Sequence, residues 1–477
     1  MRVFPVVLAG IISLPALGSV PEKALAKMSP YLRKVVLDDS ANDKVSAILI
    51  LSQQANLGHA DRDADPAARR RFVYEQLKST AQKSQAGFIR QLEHRQIRYQ
   101  AFYIHNMIAV FDVSAEVLTE LALSDSIQSA VGNPVVRAKP QVFLSDVGRD
   151  EETGVGSNIK SVGADQVWEQ YGVRGEGIVV AGQDTGYDWK HPSLKASYRG
   201  WNGTSANHSY SWHDAIHEPL GSSSSNKCGY NATEPCDDDE HGTHTMGTMV
   251  GDDGRGNQIG VAPKAKWIGC RNMDEGFGRP STYIECFEFF LAPFPIGGNG
   301  MNNGDPDRAP HVINNSWGCT TEEGCSEAET LPVLQNLKAA GIMVVASAGN
   351  EGSGCSTIAS PPAMHSAETL SVGAHNHESG AIAYFSSRGP SSHDGQVGPD
   401  VTAPGVNIRS SIPGGGYSGA MWSGTSMAGP HVAGAIALLW AADPSLVGEL
   451  DATVDVIRST AKAKTSSETC GGVAGSA

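Results

Sequence analysis

Apolar positions along the 477-residue chain follow two regimes. In the first, KVSAILILSQ (44–53) reads as a strand. The stretch PAARRRFVYEQLKSTAQKSQAGFIRQLEHRQI (66–97) then sets Phe72, Val73, Leu77, Phe88, Ile89 and Leu92 among charges at helical spacing. YQAFYIHNMIAVFDV predicts two short strands around His105 and Asn106, AEVLTELALSDSIQSAV a second helix, and PVVRAKPQVFL a last extended piece. The order β-α-β-β-α-β is that of a small ferredoxin-like α+β domain. DVGRDEETGVGSNIKSV (146–162) is polar and Gly-rich, so a boundary or cleavage region is expected there. From about Gly163 the second regime begins, with apolar strands that end in glycines: GIVVAG, WIGC, PHVINNS, GIMVVASAG and TLSVGA. Helical stretches such as HTMGTMVG, LPVLQNLKAA and GPHVAGAIALLWAA separate them. Uninterrupted apolar strands alternating with helices predict an α/β fold, a parallel sheet flanked by helices on both faces. SSSSN (222–226) reads as a surface insertion.

Composition adds the compartment. The first residues, MRVFPVVLAGIISLPALGS, carry one early positive charge, a short apolar core and small residues at Ala16 and Gly18. They predict a cleaved secretory signal over 1–18. Eight cysteines, all between Cys228 and Cys470, fit an oxidising destination. Cys228 with Cys236 and Cys319 with Cys325 are close enough for short-loop pairs, and the pairing of the other four stays open. Asn202, Asn207 and Asn231 head glycosylation sequons, as in a secreted glycoprotein. The net charge of −15 is uneven, since residues 21–145 hold 16 Lys/Arg against 13 Asp/Glu. So acidic a body argues against a nucleic-acid partner, and the opposite signs of the two segments predict that they dock. No stretch after the leader is long and apolar enough to span a bilayer, so no stable membrane anchor is expected.

Four motifs carry candidate chemistry. Asp184 in AGQDTGYDWKHPSL follows a predicted strand, at the edge where open α/β sheets build their sites. A two-aspartate mechanism needs a second D-[TS]-G triplet, and the chain has none. In HGTHTMGTMVG, His241 and His244 stand three apart; a metal pair is one reading, a single histidine held by small neighbours the other. Ser426 in SGTSMAGPHVAGAIALL precedes an apolar helix, where free N–H groups favour a nucleophile whose product is an oxyanion. Asn350 in VVASAGNEG ends a buried strand, where its amide could donate to that oxyanion. Each motif alone has an ordinary structural explanation, such as a cap, a turn or a satisfied histidine.

Taken together, in the order Asp184, His241, Asn350, Ser426, the motifs resemble those of the subtilisin-like serine proteases (subtilases). FSSRGPS and DVTAPGVNI also look like late core segments of that family, and the resemblance covers roughly 163–470. It implies a subtilisin-like peptidase domain over 163–477, an inhibitor-like propeptide over 19–145 and a processing region at 146–162. It implies Ser426 as nucleophile, His241 as general base and then acid, Asp184 as the carboxylate that orients it, and Asn350 in the oxyanion hole. NNSWGC resembles the family's cleft-lining segment, so Ser316, Trp317 and Gly318 are substrate-binding candidates. The expected partners are protein or peptide substrates and the chain's own propeptide as an intramolecular inhibitor, on a secreted monomer. No cofactor or metal is expected in catalysis.

The chain leaves the family pattern in places. Ser193 and Gly254 stand where many members carry calcium ligands, so structural calcium is open, with Asp252 and Asp253 as other ligands. Gly429 replaces a usual Ser or Thr, and the chain stops at CGGVAGSA, short of the family's usual final strand and helix. The run CDDDEHGTH sets four carboxylates, 237–240, beside the proposed base. They are expected to raise the His241 pKa and, if they border the cleft, to favour basic substrates; the other reading is a solvated acidic loop tied by Cys236.

Overall fold

The computed structural model describes residues 20–38, 44–60, 65–138, 154–221, 226–419, 422–464 and 470. The expected leader (1–18), residues 139–144 of the last extended piece, residues 146–153 of the processing region, the serine run 222–225 and residues 471–477 lie outside the described residues.

Residues 20–132 fold as the strand and helix pattern implies. β1 (Val45–Leu51), α1 (Pro66–His94), β2 (Arg98–Phe102), β3 (Met107–Val113), α2 (Ala115–Leu123) and β4 (Ile127–Gly132) follow in order. They build an antiparallel sheet ordered β2–β3–β1–β4. Two short helices, Glu22–Lys27 and Pro30–Leu37, precede β1 and were not predicted. The expected second helix is also shorter than its pattern. It stops at Leu123 because Ser124 turns extended, and Ile127–Gly132 becomes the fourth strand with Ile127, Ala130 and Val131 buried. The piece after it leaves the domain: Val136–Arg137 (β5) pairs instead with a strand of the larger domain.

That domain is built on seven parallel strands. β6 (Val179–Asp184), β7 (Trp212–Asp214), β8 (Lys266–Arg271), β11 (Val312–Asn315), β12 (Met343–Ser347), β13 (Leu370–His375) and β14 (Val401–Pro404) lie in the order β14–β13–β12–β11–β6–β8–β7. A hairpin of β9 (Met273–Asp274) and β10 (Phe277–Gly278) interrupts the run after β8. Four helices matter for the site: α3 (His241–Val250), α4 (Pro280–Leu291), α5 (Glu327–Ala339) and α6 (Thr425–Ala442). Val180, Trp267, Val312 and Val345 pack in one core with Met246 and Met249 of α3 and Ala433 and Ile436 of α6. Their neighbours Ala181, Ile268, Ile313 and Val344 pack in a second core with Phe287 and Phe290 of α4 and Leu334 and Leu337 of α5. Both faces of the sheet are dry, which is why its strands read as unbroken apolar runs. The ordered part starts before Gly163, since Gly154–Val155 pairs with Asn257–Gln258 and a helix follows at Ser157–Ser161.

The second core does not stop at the domain edge, for Tyr74, Phe102, Tyr103 and Ile104 join it. At that junction Glu288 of α4 is buried, and its Oε2 accepts from the backbone N–H of Tyr103 (2.6 Å) and of Ile104 (3.1 Å). Asn336 of α5 donates to the Ile104 carbonyl at 2.6 Å. Asn133 and Ser281 exchange two bonds of 3.0 Å, and Arg71 pairs with Asp307 and Arg98 with Glu218. The hairpin turn of the small domain is therefore capped by side chains of the large one.

All eight cysteines are paired, as Cys228–Cys236, Cys270–Cys286, Cys319–Cys325 and Cys355–Cys470. Between the ends of β7 and β8, Arg271 is fully buried and meets three carboxylates: Asp238 at 2.7 Å, Asp274 at 3.3 Å and Asp214 at 3.5 Å. Removing the one cation leaves three buried carboxylates uncompensated. Arg271→Met is expected to lower unfolding free energy by about 3–5 kcal/mol, measured by urea titration.

Candidate active site

Asp184 is the last residue of β6 and is buried. The turn after it needs glycine: Gly186 has φ +115°, and a Cβ there would lie 1.8 Å from the Cys236 carbonyl oxygen. His241 is the first residue of α3, and its neighbour Gly242 is equally confined, since a Cβ would lie 2.0 Å from the Gly186 carbonyl oxygen. This close approach brings His241 Nδ1 to 2.7 Å from Asp184 Oδ1. Thr185 N–H donates to the same oxygen at 2.8 Å, so the carboxylate has one orientation.

Asp237 organises the junction and was missed from the sequence as anything but a charge. Its two oxygens accept from Thr185 Oγ1 (2.8 Å), Thr243 Oγ1 (2.6 Å), and the backbone N–H groups of Thr243, Asp239 and Glu240. Thr185 Oγ1 in turn accepts from Gly242 N–H at 3.0 Å. The signal available in the sequence was the threonine after each motif's key residue or its glycine: Thr185 and Thr243 here, Thr425 below.

Ser426 sits in the first turn of α6. Its Oγ donates to the Ser316 carbonyl at 3.2 Å, and Ser316 Oγ donates to the Ser426 carbonyl at 3.2 Å. Ser347 Oγ at the end of β12 donates to the Thr425 carbonyl at 2.9 Å, so two strand ends clamp the helix start. Asn350 Oδ1 accepts from Thr425 N–H (2.9 Å) and Thr425 Oγ1 (3.0 Å). Those two donors fix the amide with its oxygen toward Thr425 and leave Nδ2 as the donating end. Gly429 fits tightly, because a Cβ would meet Ser347 Oγ at 3.0 Å and Asn314 Oδ1 at 3.1 Å.

His241, Ser426, Asn350, Ser316, Trp317 and Gly318 line one cleft. His241 Nε2 is buried and makes no hydrogen bond among the described residues. Trp317 offers the cleft little of its ring, which stacks on Tyr283 at 4.0 Å and is buried. Burial alone would lower the His241 pKa, but the Asp184 carboxylate and its hydrogen bond, with Asp239 and Asp237 behind, raise it above the ordinary 6.5.

Other expectations change. His244 does not join the site: its ring stacks on Trp422 at 4.7 Å, Nε2 meets the Ile408 carbonyl at 3.2 Å, and burial holds its pKa down to about 3. The acidic run is not a solvated loop, for Asp237 and Asp238 are buried. Asp238 is turned to Arg271, so only Asp239 of the run lines the cleft. At the calcium position of other family members, Ser193 Oγ bonds Tyr417 OH at 2.6 Å, and Tyr417 OH donates to Asp253 Oδ2 at 3.1 Å. Asn257 and Arg255 fill the rest of Asp253, and the Arg409 guanidinium lies over the Tyr417 ring. These groups satisfy one another through hydrogen bonds.

The profile of the Subtilase family matches residues 175–473, and the chain belongs to that family. Among curated proteins it is similar to Bacillopeptidase F of Bacillus subtilis (strain 168), at 36% identity over 422 residues, or 84% of this chain and 27% of that protein. Subtilisin E of the same organism is 38% identical over 44% of this chain and 48% of its own length. Serine protease AprX, also from Bacillus subtilis, is 31% identical over 57% of this chain and 59% of its own length. The chain thus spans about a quarter of Bacillopeptidase F and about half of subtilisin E.

Because Asp237 satisfies five donors, Asp237→Ala leaves them without an acceptor. It is expected to cost at least about 3 kcal/mol of unfolding free energy, measured by denaturant titration.

Proposed function

We propose that the chain is a serine endopeptidase that cleaves internal peptide bonds through an acyl-enzyme and is made as an autoinhibited, secreted precursor. The observation that carries this reading is that His241, Ser426 and Asn350 line one cleft, with Asp184 buried behind His241 at 2.7 Å. Ser426 Oγ attacks the substrate carbonyl carbon while its proton passes to His241 Nε2. The Asn350 amide and the Ser426 backbone N–H hold the oxyanion. Collapse breaks the C–N bond, and His241 returns the proton to the leaving amine. Water then attacks the ester by the same route and frees Ser426. Asp184 keeps the imidazole in the required tautomer and stabilises its protonated form. No cofactor enters these steps.

The small domain at 20–138 acts as the inhibitor. Its last described strand, β5, runs antiparallel to β10 at the cleft, in the manner of an added substrate strand. The alignment with Bacillopeptidase F covers more of the chain than the family-matched segment and so reaches beyond it, which supports a shared N-terminal domain. Secretion by the 1–18 leader is supported by four disulfides and by exposed side chains at Asn202, Asn207 and Asn231. Processing falls between the two domains, in the region 146–162.

A fluorophosphonate probe is expected to label the released peptidase and not Ser426→Ala. No labelling of the wild type, with no peptide hydrolysis, would leave a silent binding module. The neutral imidazole is the base and its pKa is raised, so kcat/KM is expected to fall as pH drops through a value above 6.5. Asp184→Asn is expected to move that acid limb to lower pH and to cut kcat by about 10⁴-fold, read from pH–rate profiles.

A further inference from the structure

The cleft already holds a peptide, the chain's own. Arg137 stands opposite Phe277, with its guanidinium over the Phe277 ring at 5.3 Å. Ala138 N–H donates to the Gly276 carbonyl at 2.8 Å. Successive residues of an extended strand face opposite ways, so Ala138 turns from Phe277 into the cleft that Asp239 and His241 line. Asp239 lies directly over this register position: a Cβ on Gly276 would be 3.2 Å from Asp239 Oδ2.

Asp239 differs from its neighbours in the acidic run. Asp237 is consumed by five donors and Asp238 by Arg271, whereas the Asp239 carboxylate has no hydrogen bond or ion pair among the described residues. Three more carboxylates, Glu322, Glu323 and Glu351, line the same cleft. Among the described lining residues Arg137 is the sole Lys or Arg, and it departs with the inhibitor. An unpaired, half-buried carboxylate beside a substrate strand is met best by a cation on that strand.

We propose that Asp239 makes the peptidase select Lys or Arg at the substrate position held by Ala138, the residue whose N–H pairs with the Gly276 carbonyl. This rests on the protease reading above. It also gives the alanine a meaning. The chain's own strand carries too short a side chain to reach Asp239, so it occupies the cleft without the ion pair that a substrate makes. Burial pushes the Asp239 pKa up to about 6, against His241 and Arg137, with Asp237 and Asp184 adding to the rise. The preference is therefore present above that value and lost as pH falls through it.

The test uses the full chain, matured by incubation, and peptides scanned with Lys, Gln or Glu at each position before the scissile bond. One position is expected to favour Lys over Gln by about tenfold in kcat/KM. That ratio should collapse toward one in Asp239→Asn, persist in Asp239→Glu and invert toward Glu in Asp239→Lys. In the wild type it should also fade as pH falls through the Asp239 pKa, which burial raises above the ordinary carboxylate range. Protonation of His241 slows both peptides alike, so the ratio reports Asp239 alone. A Lys preference equal in wild type and Asp239→Asn, or no preference at any position, overturns the proposal while the protease reading stands. No hydrolysis of any peptide and no fluorophosphonate labelling in the wild type overturns both.

Discussion

The geometry of the cleft depends on one buried carboxylate that takes no part in the chemistry. Asp237 holds the end of β6 through Thr185 and the start of α3 through Thr243, and its own turn through Asp239 and Glu240. Glu240 is thereby placed in left-handed geometry at φ +72°, so that α3 begins with His241 facing the strand end. The two glycines, Gly186 and Gly242, let the backbones approach closely enough for a 2.7 Å contact between side chains that are 57 residues apart. Rigid neighbours set that distance, and the short side chains have no slack with which to correct it.

The same logic recurs at the other half of the site. Ser347 and Ser316 at two strand ends bind the carbonyls of Thr425 and Ser426, and Thr425 sets the Asn350 amide. Helix α6 enters the core almost entirely apolar, so burial alone fixes its depth but not its start. The hydroxyls supply the missing register. A parallel sheet with both faces covered gives each strand end a fixed position, and the chemistry is hung on those ends.

Much of this was legible in the sequence because strand ends and motif residues coincide there. Unbroken apolar runs gave the parallel sheet, and Asp184, His241, Asn350 and Ser426 each lay within two residues of a glycine. What escaped was information carried by partners distant in the chain. The predicted helix over AEVLTELALSDSIQSAV was too long, because helical periodicity continues by chance past Ser124 while tertiary pairing with β1 claims Ile127–Gly132 as strand. The extended piece after it read as a strand of the small sheet, yet its partner, Phe277–Gly278, lies in the other domain. The acidic run read as one feature. The fold divides it into a cap at Asp237, an ion pair at Asp238 and, among the described residues, an unpaired group at Asp239, a division that depends on Arg271 and Thr243.

The bond between Cys355 and Cys470 closes a span of 115 residues that contains the whole of α6. If the chain cleaves peptide bonds as proposed, at high concentration it is exposed to its own activity, and surface loops are where such cuts fall. A single nick inside that span leaves both fragments joined through the cysteines. After a cut between Cys355 and Ser426, the fragment bearing Ser426 would otherwise be held to Asp184 and His241 by non-covalent packing alone. For such a cut the disulfide is a covalent tether between the two halves, a form of durability separate from thermodynamic stability.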